Sequence, residues 1–412
     1  MTIQCLVAGA GAGKTKSLCD WICAEIGKGL DPARILAMTY TRKAAAELRT
    51  RVQAAVRVHG TADADRIELA YIGTVHSVAH AVIKKYALAL GISPDLKVVE
   101  ETIVEDMGRK ILGQIDLGPI LPIVYRLSIQ PNNLSEIIYD LHSKRVGNRI
   151  CDKRFRDQMK KSLEELLNLV SPDGFITVNN PHDLLMNAAS NALEKANNKG
   201  CTTKTTVDGL SELRALIRDN SGCWRDFPKA TRIKLGTKKG ADGELNGLRN
   251  MASGVRKFQA LADDLVNYYQ IITDVTLEFG KAYSHHKSQW GVVDYTDLEV
   301  MLLELLEREE LRESLASDFQ LVAVDEFQDT NPIQLAIFRR LGDLAPVNRW
   351  TGDGNQSIYE FRGSDPVLME SVWRSQGALT PLTDNYRSQA GLVQIFNHIF
   401  PDSEGFTRQT PK

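Results

Sequence analysis

The eight residues Ala8–Thr15, AGAGAGKT, restrict the fold of this chain more than any other stretch. Ile3 to Ala8 reads as a short buried strand, and beyond the glycines a helical pattern puts Leu18, Ile22 and Ile26 on one face. Strand, glycine-rich loop and helix in that order form a cradle for phosphate. Gly9, Gly11 and Gly13 let the backbone turn its N–H groups inward, and the helix N-terminus adds partial positive charge. The nucleotide-binding residues are therefore Ala8, Gly9, Ala10, Gly11, Ala12, Gly13, Lys14, Thr15 and Lys16, with Ala8 standing where the usual pattern begins with glycine. Lys14 is placed to reach the β and γ phosphates and the Thr15 hydroxyl to hold Mg2+.

The same alternation continues. Ile35–Thr39 reads as a strand and Lys43–Val56 as an Ala-rich helix; Tyr71–Val75 is a third strand before a helix from Ser77. Such alternation predicts an α/β fold with a parallel sheet. Strand signals stop between about residues 94 and 291, where the pattern is mainly helical, and resume at Phe319–Val324 and Val347–Thr351. The expected organisation is a first sheet segment over residues 1–95, an inserted helical domain over 96–290 and the rest of the sheet domain over 291–385, with 386–412 beyond it.

Composition narrows the function classes only a little. The 50 basic and 52 acidic residues nearly cancel, so any polyanion site must be a local groove. Within the insertion, Asp140–Lys161 carries eight basic against three acidic residues and Cys201–Ala260 twelve against six. Each fits a solvated helical face or a surface that tracks phosphates. The six cysteines lack the paired short spacings of a zinc site and read as free thiols in a reducing compartment. No charged leader or long apolar stretch is evident, so the expectation is a soluble, cytoplasmic protein without a membrane partner.

Leu321–Asn331, LVAVDEFQDTN, is an apolar strand that ends in two adjacent carboxylates. Asp325 falls beside the metal, while Glu326 falls near the γ phosphate, where it can orient and deprotonate water. A kinase passes phosphate to a substrate hydroxyl and has little use for that second acid, which favours an NTPase. Thr351–Asp365, TGDGNQSIYEFRGSD, puts the amide of Gln356 close in sequence to Tyr359, Phe361 and Arg362. Composition alone reads it as an edge strand.

AGAGAGKT, ILAMTYTRKAAAELRTRV (Ile35–Val52), GTVHS (Gly73–Ser77), VDEFQDTNPIQ (Val324–Gln334), TGDGNQSIYEFRG and LTDNYRSQ (Leu382–Gln389) occur in one order, and together they resemble the UvrD/Rep family of superfamily 1 DNA helicases. VDYTDL (Val293–Leu298) is similar to the segment by which that family returns from its inserted domain to the sheet. The resemblance implies a RecA-like P-loop sheet with an inserted helical domain, and a helicase or translocase of 3′ to 5′ polarity that uses ATP and Mg2+ on single-stranded DNA, or on duplex with a single-stranded tail. It implies that Gln356 senses the γ phosphate, that Tyr359 and Phe361 stack on bases, and that Tyr40, Thr41, Thr74 and His76 line the DNA groove. By the same transfer, Tyr386 packs on the base of ATP and Arg387 reaches the γ phosphate beside Lys14, Asp325 and Glu326. Base stacking suits a motor, because every base has a π face and sequence does not matter while it steps.

Two departures qualify the transfer. The family's upstream adenine-binding glutamine has no match, since Gln4 lies inside the first strand, and residues 386–412 match only the opening of a second RecA-like lobe. The expected source of the rest is a partner chain or sequence lost by truncation. Two other readings stay open. One is a regulatory module that binds DNA and ATP without hydrolysis, or half of a split helicase; the other is an unrelated P-loop enzyme such as a kinase, against which the loop at Gln356 argues. Stacking makes a direct prediction: Phe361→Ala weakens single-strand binding by about 1–3 kcal/mol in a fluorescence titration. Unchanged affinity would return that ring to the protein core.

Overall fold

The computed structural model describes residues 3–9, 11–59, 66–200, 202–237, 241–357, 364, 366–376, 379–400 and 409–412. Two compact units emerge. The first comprises Met1–Glu101, Val146–Arg149 and Lys287–Lys412, and the second Thr102–Arg145 and Ile150–His286.

The first unit is built on a six-stranded sheet of β1 (Gln4–Ala8), β2 (Ile35–Thr39), β3 (Tyr71–Thr74), β6 (Leu321–Val324), β7 (Val347–Gly352) and β8 (Leu379–Leu382). The intervening β4 (Lys97–Val98) and β5 (Val292–Val293) pair separately with each other, as do β9 (Asp384–Asn385) and β10 (Thr410–Pro411). The order in the large sheet is β3-β2-β6-β7-β1-β8, and every neighbouring pair is parallel.

Parallel strands covered on both faces read as apolar runs, and β2 is buried at all five positions. The period of two sorts its side chains. Ile35 and Ala37 face helices α1 (Lys14–Gly27) and α2 (Arg42–His59), in one core with Leu18, Ile22, Leu48 and Val52. Leu36 and Met38 face α3 (Val75–Lys85), α4 (Tyr295–Leu306) and α5 (Pro332–Leu344), with Val78, Leu302, Phe338 and the fully buried Trp350. The α/β reading and the strands from Ile35, Tyr71 and Val347 agree with the sequence pattern to within a residue or two.

Register decides what the sheet presents. Val324 lies beside both Met38 and Trp350, Val7 beside Gly352, and Ala8 beside Leu382. The residues that follow these strands therefore leave at one edge of the sheet, where ligands collect in open parallel sheets.

The second unit is mainly helical, with a core that includes Leu185, Leu213, Phe227, Leu245 and Leu248. Arg126 grips the Asp264 carboxylate through two nitrogens at 2.8 and 2.6 Å, and the indole of Trp224 donates to it at 2.8 Å. The predicted helices within Ile103–Ile115, Leu134–Ser143, Phe155–Val170 and His182–Lys195 are present. The one foreseen from Val255 begins at Gln259, after a short turn and a bridge between Phe258 and Ile176. Lys204–Asp219, Asp226–Arg232 and Asn246–Ser253 add helices within the basic stretch. No helix among the described residues is long and apolar enough to cross a membrane, and Cys5, Cys19, Cys23, Cys151 and Cys223 are free thiols.

The chain re-enters the sheet domain through a buried ion cluster. Lys287 is 6% exposed and donates to Asp294 at 2.8 Å and to both oxygens of Asp297 at 2.7 and 2.6 Å. The two aspartates also form the capping box that starts α4. Lys287→Met strands one buried and one half-buried carboxylate and is expected to cost about 3 kcal/mol or more in urea denaturation. Adding Asp297→Asn should return part of that loss; an unchanged midpoint in the single variant would show that the cluster does not hold this junction.

Candidate nucleotide site

The loop after β1 turns as its glycines predict. Gly11 and Gly13 have φ of 81° and 78°, the left-handed region that glycine enters at little cost, and Gly13 stands at the N-cap of α1. Ala10 lies outside the described residues, Ala8 and Ala12 are buried, and Lys16 is exposed. Lys14 opens the helix and crosses to two other loops: its Nζ donates to Glu326 Oε2 at 2.9 Å and to Gln356 Oε1 at 3.1 Å.

Asp325 and Glu326 are adjacent in sequence but point into different surroundings. Asp325 is 4% exposed; its Oδ1 accepts from the Thr351 hydroxyl at 2.6 Å and from the Glu326 N–H at 3.0 Å, and its Oδ2 faces Thr15 Oγ1 at 3.4 Å. Burial pushes the Asp325 carboxyl up, against the pull of the Thr351 bond. Glu326 takes a left-handed backbone, with φ 54° and ψ 44°, that swings its side chain to Lys14. Burial raises its carboxyl too, but Lys14, Gln328 and Arg387 together outweigh this and hold it below its ordinary value.

Sequence reasoning gave no role to Gln328, Asp329, Thr351 or Asp353, all of which are buried here. Gln328 Nε2 donates to Glu326 at 2.8 Å, while its Oε1 accepts from the Asp353 N–H at 3.0 Å. The Asp353 carboxylate accepts from Gln356 Nε2 at 2.6 Å. The signal was a run of polar residues directly after a strand too apolar to end at a surface turn.

The segment after β8 also reaches the loop. The Tyr386 N–H donates to the Gly11 carbonyl at 2.9 Å, and a Cβ on Gly11 would lie 2.8 Å from both Arg387 Cβ and Asn385 Oδ1. A Cβ on Gly13 would lie 3.8 Å from the Tyr386 ring, which is 65% exposed. Gln4 is engaged elsewhere: it accepts from Arg349, whose guanidinium stacks on Trp21 at 4.5 Å.

Of the four expected DNA-groove residues, Tyr40 and Thr41 follow β2, Thr74 ends β3 and His76 lies two residues beyond it. Thr41 Oγ1 accepts from the Ala44 N–H at 3.1 Å and Thr74 Oγ1 from the Ser77 N–H at 3.3 Å, each at a helix start. His76 lies 3.1 Å from the buried Glu299 carboxylate and 4.6 Å from the Tyr295 ring. Tyr40 is half-buried at the same edge, and Tyr359 and Phe361 lie outside the described residues. In the basic stretches, Lys144 and Arg145 pair with Asp140 and Asp152, and Lys229 and Arg249 with Asp226 and Asp242, while Lys153, Arg154 and Lys160 are exposed.

A parallel sheet of this order, with its phosphate loop and acidic turn on one edge, is a RecA-like P-loop fold. Its affiliation is specific: the chain belongs to the UvrD/REP helicase family, whose N-terminal domain model matches residues 2–375. Among curated proteins it is similar to an ATP-dependent helicase/nuclease subunit of Ligilactobacillus salivarius, with 24% identity over 96% of this chain and 37% of that protein. The same-named proteins of Streptococcus pyogenes serotype M1 and Geobacillus thermodenitrificans are each 25% identical, over 95% and 97% of this chain and 37% and 38% of theirs. The chain thus spans less than two-fifths of these relatives.

Asp329 gives a pH test of this turn. Burial and then Glu326 raise its carboxyl to about 6, Lys14 opposing them, and its Oδ1 is buried without a hydrogen-bond partner among the described residues. The folded state therefore holds this proton more tightly than the unfolded chain, so ionisation costs stability as pH rises from about 4 through 6. Asp329→Asn never ionises and should gain about 1 kcal/mol or more at pH 8 in urea denaturation, an advantage that shrinks below pH 6 and is gone below about pH 4. A gain equal at every pH would mean that the carboxyl is not the source.

Proposed function

We propose that this chain is the ATP-binding lobe of a DNA helicase that couples ATP hydrolysis to 3′ to 5′ movement on single-stranded DNA. The observation that carries the reading is the crossing of Lys14 to Glu326 and Gln356, which joins phosphate loop, acid and amide at one ammonium. Lys14 binds the β and γ phosphates, and Glu326 and Gln356, released from it, turn to the attacking water and the γ phosphate. Tyr386 packs against the base and Arg387 supplies a second cation to the phosphates. The bond from the Tyr386 N–H to the Gly11 carbonyl and the close approach of the Arg387 Cβ to Gly11 support this.

The residues fit Mg2+. Thr15 and Asp325 offer two facing oxygens, and Asp325 is a buried carboxylate that no Lys or Arg among the described residues pairs with. No three His, Cys, Asp or Glu side chains cluster as a metal site among the described residues, so phosphates and water would complete the shell. The ion, when bound, neutralises charge on the β and γ oxygens.

DNA binding is assigned to the edge that carries Tyr40, Thr41, Thr74 and His76 and to the rings of Tyr359 and Phe361. The exposed basic residues of the insertion offer phosphate contacts. Relatives that are named as subunits, and are more than twice as long, support a second lobe and a partner chain as part of the working assembly. The test is ATP hydrolysis by the 412-residue chain with and without single-stranded DNA, beside Glu326→Gln and Lys14→Ala. DNA-stimulated turnover is expected, with Glu326→Gln inactive but still binding nucleotide and Lys14→Ala binding none. Turnover that survives Glu326→Gln would refute the role given to that residue. Nucleotide bound without turnover favours the regulatory reading or a required partner.

A further inference from the structure

We propose that Gln328 is a positioning residue that links the Glu326 carboxylate to the loop after β7, so that the two move together. The inference deepens the ATPase reading and rests on it for the role of Glu326. Gln328 is 2% exposed, and its carboxamide is spent at both ends, on Glu326 Oε2 at 2.8 Å and on the Asp353 N–H at 3.0 Å. Its own carbonyl accepts from Ser357 Oγ at 3.3 Å, so it grips the loop at two points.

These bonds close a ring. Asp353 holds Gln356 at 2.6 Å, Gln356 accepts from Lys14 at 3.1 Å, and Lys14 returns to Glu326 at 2.9 Å. Donor chemistry permits one orientation of each amide. An ammonium and a backbone N–H only donate and a carboxylate only accepts, so Gln356 and Gln328 each turn oxygen to one neighbour and nitrogen to the other. Once Lys14 is drawn to phosphate, the ring opens at that cation. Gln328 is then the link that remains between Glu326 and residues 353–357, which lead into the segment bearing Tyr359 and Phe361. β7 passes so close that a Cβ on Gly352 would lie 3.0 Å from Gln328 Oε1 and 3.3 Å from its backbone nitrogen. Only glycine leaves this amide undisturbed.

Gln328→Glu breaks one arm alone: it keeps an acceptor for the Asp353 N–H and sets a second carboxylate against Glu326. Gln328→Leu breaks both arms. At pH 8, ATP affinity of Gln328→Glu, read with a fluorescent ATP analogue, should stay within about threefold of wild type while kcat falls about 10- to 100-fold. Among the described residues, the charged groups around this amide and the carboxylate it holds include Lys14, Asp325, Glu326, Asp329, Asp353 and Arg387, shared with wild type, whose own pH profile is the baseline. Relative to it, kcat of Gln328→Glu should recover toward pH 6, where a protonated carboxyl regains the donor; a purely structural lesion would not recover. Amide hydrogen exchange over residues 352–357 should match wild type in Gln328→Glu and be about tenfold faster in Gln328→Leu. Gly352→Ala, which crowds the same amide from the other side, should speed that exchange as well and serves if Gln328→Leu does not fold. Wild-type turnover in Gln328→Glu at pH 8, or exchange unchanged in Gln328→Leu or Gly352→Ala, overturns the proposal. If the unmutated chain hydrolyses nothing, that result bears on the functional reading alone, and the exchange measurements, which need no nucleotide, still decide the link.

Discussion

The contact between Lys14 and Glu326 spans 312 residues of sequence, and that between Lys14 and Gln356 spans 342. Neither can form until the chain has left the sheet and returned, because among the described residues β1 pairs with β7 and β8. A long insertion is tolerable for an entropic reason: each doubling of a closed loop costs only about 0.6 kcal/mol more. What the return needs is a fixed junction. The pairing of β4 with β5 and the Lys287–Asp294–Asp297 cluster supply one, and α4 starts directly from it.

Strands buried on both faces announce themselves as apolar runs, so Ile35–Thr39 and Val347–Gly352 were legible from composition and period. The site was legible where a local pattern carries its own chemistry, as in AGAGAGKT or two acids at a strand end. It was not legible where a residue's role lies in a tertiary partner. Gln328 and Thr351 look ordinary until β6 and β7 set them beside Glu326 and Asp325. The β4–β5 pair escaped because two residues show no period. The helices of residues 204–253 lay under charge that reads equally as loop or exposed helix. Thr41 and Thr74 show the converse: a hydroxyl three residues before a helical N–H is a legible cap, and that bond exists whether or not DNA also touches the residue.

Adjacent carboxylates in a buried turn should repel, and the backbone solves this at Glu326. A left-handed non-glycine residue costs on the order of 1–2 kcal/mol. Here it is held by the Asp325 N–H on the Met38 carbonyl at 2.9 Å and the Asp329 N–H on the Glu326 carbonyl at 3.0 Å. The twist sends Asp325 toward hydroxyls and Glu326 toward a cation; burial raises the Asp325 carboxyl, while at Glu326 burial is outweighed by Lys14, Gln328 and Arg387, so the two shift in opposite directions. One is suited to a metal ion and the other to a base. A carboxylate held down by Lys14 is a poor base while that contact lasts. On the proposed reading, ATP draws the ammonium away to its phosphates, and burial, the influence Lys14 had opposed, then raises the basicity of Glu326. The acid is thus kept idle until there is a phosphate to attack.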